Sequence, residues 1–260
     1  MCLIIFAHQA VPDFPLIVAA NRDEFFPRPT QQADFWIGDE DKGQLLAGRD
    51  LKAGGTWLGI DRNGRFAAVT NIRDPSQFEA KPRSRGELPV NFLTANLSPE
   101  QFCSTLAEHF EDYAGYNLLV GDSHSMFYVN NFQRSIEELD PGIYGLSNGL
   151  LNSDWPKISM GRERLDALLG HPDQLTTDQL IAIMGDRHQA TDAELPNTGV
   201  PLEMERQLSA TFIHNTEREY GTRCSTAIII DEGMIRFSEH NFDSSGLPAG
   251  NHFYEIQRNS

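Results

Sequence analysis

Paired cysteines are missing from this sequence: its 260 residues hold only Cys2, Cys103 and Cys224, an odd and widely spaced set with no CxxC. That argues against a disulfide framework or structural zinc and for a reducing compartment. Basic charge is scarce, with 21 Lys and Arg against 37 Asp and Glu, a formal net charge of −16. Nucleic-acid phosphates are held by basic faces. The only basic cluster here, residues 81–85, reads as a solvated loop, so no nucleic-acid partner is expected. No run approaches the ~20 apolar residues of a membrane helix. The apolar stretch CLIIFA (2–7) lacks a preceding basic residue, and Asp13 arrives before a signal-peptide core is complete. These absences lead to the expectation of a cytoplasmic protein with no membrane span. HExxH, GxGxxG and Walker loops are absent, and the eight histidines show no metal-ligand spacing. No metal or cofactor is expected.

A hydrophobic content of 40%, including 10% aromatics, is enough to form a core. With no Gly/Ser/Pro linker and no internal repeat, residues 1–260 read as a single domain. Two β-rich runs, 2–8 and 16–21, flank the turn-forming segment VPDFP (11–15). Both are apolar at alternate and intervening positions, the pattern of strands buried on both faces. Further hairpins are predicted at 56–60/66–70 around Asn63-Gly64, at 117–121/126–130 and at 226–231/234–238, with a last strand at 252–256. Helices are predicted behind the capping box Ser98-Pro99-Glu100-Gln101 and at 155–169, 177–184 and 202–209. Tight hairpins cannot join parallel strands. The expected fold class is therefore α+β, a four-layer α-β-β-α sandwich of two antiparallel sheets.

Cys2 is the leading chemical candidate. A free cysteine in an apolar strand is commonly a small buried hydrophobe. At position 2, removal of Met1 would give it a free α-amine with a pKa of roughly 7.7–8.0, placing nucleophile and base in one residue. Asn21-Arg22-Asp23-Glu24 follows. With the turn at Pro12-Asp13, antiparallel partners have numbers summing to about 24 or 25, which sets Cys2 opposite Arg22 and Asp23. Asp23, read as an exposed strand-end carboxylate, would hold the amine, and Arg22 would counter developing negative charge. Asn71, Asn148 and Arg223 stand at the ends of apolar segments. The asparagines are candidate oxyanion donors, and Arg223 would lie near the thiol or the substrate. The alternative for each is a turn or strand cap. Residues 145–149 (GLSNG) match the G-x-S-x-G nucleophile elbow, but no helix opens directly after them.

Several stretches together resemble the NRDE family, which includes the transport-and-Golgi-organisation proteins. They are the Met-Cys start, AANRDEFFPRP (19–29), GGTWLGIDRNGRFAAVTNIRD (54–74), SRGELP (84–89), YNLLVGD (116–122), GLSNGLLNSDWPK (145–157), NTGVPLEMERQLSATFI (197–213) and YGTRCSTAI (220–228). The resemblance implies an N-terminal nucleophile hydrolase fold, in agreement with the sandwich. A more distant resemblance, to choloylglycine hydrolases and penicillin V acylases, runs through Cys2, Asp23, Asn71, Asn148 and Arg223 in that order. The chain departs from that group in its hairpin, where Gly64 directly follows Asn63. It departs again where that group has an arginine three residues before the aspartate; Ala20 stands there and Arg22 lies one pleat along. Two functions stay open. One is an N-terminal-cysteine amidase acting on a small amide or acyl compound. The other is a non-enzymatic carrier of a hydrophobic acidic ligand, for which the resemblance suggests haem, acyl-coenzyme A or lipid, with roles in secretion and Golgi organisation in eukaryotic relatives.

Overall fold

A computed structural model describes residues 2–36, 44–75 and 81–258. The expectation about Met1 concerns a residue outside that set. In chain order the elements are β1 (Cys2–Val11), β2 (Phe14–Phe25), β3 (Thr30–Phe35), β4 (Leu46–Asp50), β5 (Leu58–Ile60), β6 (Phe66–Asn71), α1 (Glu87–Thr94) and α2 (Pro99–Leu106). They continue with β7 (Tyr116–Gly121), β8 (Met126–Asn130), β9 (Ser135–Glu138), β10 (Gly142–Leu146), α3 (Pro156–Leu169), α4 (Thr177–Ile183) and α5 (Leu202–Ser209). The last strands are β11 (His214–Asn215), β12 (Tyr220–Ile230), β13 (Met234–Phe242) and β14 (Pro248–Gln257). Two compact units result, one formed by residues 1–27, 73–75 and 141–255, the other by 28–72, 76–140 and 256–260.

The first unit is built on a sheet of order β10-β1-β2-β12-β13-β14, with β11 beside β12. Asp13 takes a positive φ of 65° in the two-residue turn that joins β1 to β2. The register that follows sets Cys2 against Arg22, Ile4 against Ala20 and Phe6 against Val18. Leu3, Ile5 and Ala7 of β1, Ile17 and Ala19 of β2, and Ala227 and Ile229 of β12 all fall on one face by the period-2 rule. They pack with Ile158 and Leu165 of α3, Leu180 of α4 and Met184. Each leucine and isoleucine among them contributes about 1.5–3 kcal/mol on burial, which fixes the register, because a one-residue slip would turn them all to the opposite face.

The second unit is a meander, β3-β4-β5-β6-β7-β8-β9, backed by α1 and α2 through Leu88, Phe92, Phe102, Leu106, Leu118 and Val129. The capping box of α2 forms as predicted: Gln101 N–H donates to Ser98 Oγ (3.2 Å) and Ser98 N–H to Gln101 Oε1 (3.1 Å). Two of the quoted stretches meet here. Thr56 N–H donates to Gly86 O (2.8 Å), and a Cβ on Gly55 would lie 2.3 Å from Gly86 backbone. Only glycine permits that approach.

The α+β class and the antiparallel hairpins are as expected, and each sheet carries helices on one face. Strands β3, β4, β9, β10 and β11 and helix α1 were not predicted. All are short, and β3 and β9 are largely exposed and polar (TQQADF, SIEE), so neither shows an apolar alternation.

Candidate functional site

Cys2 opens β1 beside Arg22 of β2, and Arg22 in turn faces Cys224 of β12, so the three share one row across the sheet. Cys2 is 9% exposed. Burial pushes its thiol above the ordinary value and the charge of Asp23 adds to the rise, while Arg22 and the backbone N–H of Asp23, which donates toward the sulfur, oppose it. The thiol therefore keeps its proton at neutral pH unless a base takes it. Cys103 is raised to about 12 by burial alone. Cys224 is also raised well above the ordinary thiol value, by burial first and then by Glu239.

The four residues of the Asn-Arg-Asp-Glu run have separate tasks. Asn21 is a clamp: its Nδ2 donates to Met184 O (2.9 Å) and Thr211 O (2.9 Å), and its Oδ1 accepts from Ser225 Oγ (2.6 Å). Arg22 pairs with Glu24 at 3.7 Å. Asp23 is 1% exposed, which corrects the expectation of an exposed strand-end carboxylate. Its Oδ1 accepts from Thr222 Oγ1 (2.8 Å) and its carbonyl from Tyr220 Oη (3.1 Å). Burial raises its pKa above the usual value, and Lys157 is the largest opposing influence.

A carboxylate whose pKa rises on folding contributes stability below its unfolded pKa, near 4, and loses it as pH climbs through the higher folded value. Asp23→Asn keeps the Thr222 hydrogen bond and removes the buried charge. The variant is expected to melt at or above the wild-type temperature at pH 7, with a smaller advantage at pH 4. Thermal melts at the two pH values check this; a lower melting temperature at pH 7 would show that the ionised carboxylate stabilises the fold.

Asn148 is buried just past β10. Ser147 Oγ donates to Cys2 O (2.9 Å) and lies 3.2 Å from Asn148 Oδ1. Ser147 is thus a buried structural hydroxyl in a turn that runs on to Pro156, as expected of a chance match to the elbow. Arg223 is the extra residue of a bulge, between the pairs Thr222–Asp23 and Cys224–Arg22. A bulge re-aims its side chain, and Arg223 Nη1 donates to the carbonyls of Phe25 (3.2 Å) and Phe26 (3.1 Å), tying down the end of β2. The first unit therefore gathers Cys2, Arg22, Asp23, Asn148 and Arg223. Asn71 belongs to the second unit, where it ends β6 opposite Tyr116.

Sequence reasoning missed three charged residues: Lys157 and Arg73, whose charges act on Asp23, and Glu205, which pairs with Arg73. Lys157, in the first turn of α3, is 1% exposed and donates to Leu208 O (2.9 Å). Burial and then the charge of Arg73 lower it to about 8, while Asp23 and Cys2 act in the other direction. Arg73 and Glu205 form a buried ion pair at 2.7 Å, with side chains 6% and 3% exposed. Glu205 Oε1 also accepts from the N–H (2.9 Å) and hydroxyl (2.6 Å) of Thr198. The available signal was Glu205 standing one turn before Leu208 on the buried stripe of α5. Among the described residues no group of three His, Cys, Asp or Glu is placed to hold a metal ion, and no helix is long and apolar enough to cross a membrane.

Residues 1–244 match the family described as Transport and Golgi organisation 2. The chain belongs to that family. It is 34% identical over 260 residues to the Transport and Golgi organization protein 2 homolog of Bos taurus, covering 93% of each chain. It is 33% identical over 268 residues to the Homo sapiens homolog, covering 95% of each. Among solved structures it is similar to a single-residue variant of conjugated bile acid hydrolase from Clostridium perfringens, with a TM-score of 0.53 and 10% identity, covering 98% of this chain and 97% of that one. That likeness shows the fold of this chain, of the N-terminal nucleophile hydrolase type.

Proposed function

We propose that this family member is an N-terminal-cysteine amidohydrolase acting on a small amide or related acyl compound. The observation that carries the reading is the setting of Cys2: registered against Arg22, approached by the Asp23 N–H, and held through its carbonyl by Ser147 beside Asn148. With Met1 removed, the α-amine of Cys2 takes the thiol proton, which burial otherwise keeps on sulfur. The thiolate adds to the amide carbonyl, and the Asn148 side-chain amide donates to the oxyanion. The protonated amine then gives its proton to the departing amine, leaving a thioester that water hydrolyses to the acid and free Cys2. Asp23 orients the amine, Arg22 offsets the negative charge at sulfur, and Lys157 acts as a positioning residue by balancing the Asp23 carboxylate.

The burial of Cys2 favours a second reading, in which the same residues line a binding site for a hydrophobic acidic ligand such as haem, acyl-coenzyme A or lipid. The two part on one comparison. Native protein and a copy with an uncleaved N-terminal extension are incubated with an amide and acyl-ester library. The amidase reading expects turnover only by native protein, because an acylated amine cannot accept the proton. Equal turnover by both would take the role of base away from the α-amine, and none by either favours the binding protein.

A further inference from the structure

The Arg73 guanidinium has donors that its ion pair does not use. Nη1 donates to Glu205 Oε2 at 2.7 Å, whereas the buried Nε and Nη2 have no hydrogen-bond partner among the described residues. Those two N–H groups lie along one edge of the planar cation and point the same way, the fork that matches both oxygens of a carboxylate. Folded proteins rarely leave buried charged donors without an acceptor. The fork is also held in place: Glu205 fixes the opposite corner, and the Trp155 ring covers one face at 4.7 Å.

Arg73 is part of the site described above. Its backbone N–H donates to Asn148 O (2.8 Å), which sets it beside the segment that holds the Cys2 carbonyl. Its charge acts on Asp23 and Lys157, and Lys157 acts on Cys2. Glu205 already offsets part of the Arg73 charge, which suits a monoanion better than a phosphate dianion. We propose that the Nε/Nη2 edge of Arg73 binds one carboxylate of the molecule that reaches Cys2, so that the site takes amides bearing a single free carboxylate. This rests on the amidase reading for the word amide, and on Arg73 alone for the carboxylate.

The test uses full-length Cys2→Ala protein and a panel of monoamides of dicarboxylic acids and N-acylglycines, each paired with its uncharged primary-amide analogue. Calorimetry should find at least one acid bound about ten- to a hundredfold more tightly than its neutral twin, the range for charge-assisted hydrogen bonds. R73K keeps the charge and loses the fork, and should reduce that preference to about threefold or less. No acid favoured over its twin, or a preference that survives R73K, overturns the proposal. If R73K does not fold, phenylglyoxal labelling of Arg73 reads the same contact: the acid should protect it and the neutral twin should not, and equal labelling overturns the proposal. Turnover by wild-type protein separates the two claims. An acid preference without Cys2-dependent turnover retains the subsite and sinks the amidase; turnover of neutral twins as fast as acids does the reverse.

Discussion

Cys2→Ala is expected to lower turnover of any accepted amide at least about a thousandfold, because the substitution removes the sulfur that forms the thioester. The fold should survive. Leu3, Ile5 and Ala7 continue to pack against α3, and Ser147 binds the main-chain carbonyl of residue 2 rather than its side chain. A melting temperature within a few degrees of wild type should therefore accompany the loss of activity, as thermal melts and turnover assays on one preparation would show. Activity that persists in Cys2→Ala would move the reaction to another group.

The largest stability effect is expected at Glu205. Removing it leaves the Arg73 cation buried without its counter-ion and strips the acceptor from the Thr198 N–H and hydroxyl. Breaking a buried pair from one side costs about 3–5 kcal/mol, which in a chain of this size lowers the melting temperature by on the order of 10 °C. Removing both charges is a different perturbation. In Arg73→Met/Glu205→Leu neither partner remains stranded, and most of the loss should be recovered, since apolar replacements of buried pairs are often neutral or stabilising. Chemical denaturation of the single and double variants gives the comparison. A double variant as unstable as Glu205→Ala would show that the Thr198 contacts, not the ion pair, dominate.

The hairpin that carries Cys2 was legible because three local signals agreed: two doubly buried apolar runs, a Pro-Asp turn, and a side-chain period that allows only one register. The observed partners Cys2 and Arg22 follow from them. Helix α2 was legible through its capping box and the apolar stripe behind it. The missed strands have no such support, because β3 and β9 are polar and β10 carries two glycines in five residues. The Arg73–Glu205 pair joins residues 132 positions apart, and Lys157 looks like an ordinary surface lysine until α3 packs it beneath the sheet. Local pattern cannot report such contacts. The burial of Asp23 was missed for a related reason: it depends on Thr222 and Tyr220 of β12, which reach it only in the folded sheet.

The central claim is that Cys2, with its own free amine, is the acyl acceptor. It is tested most directly by mass spectrometry of the N-terminal peptide from native, untagged protein quenched during turnover of an amide. The account predicts a peptide that begins at Cys2 and carries the acyl group on its sulfur, with Cys103 and Cys224 unmodified. A peptide that retains Met1, or an acyl group absent from Cys2 while product accumulates, would contradict it.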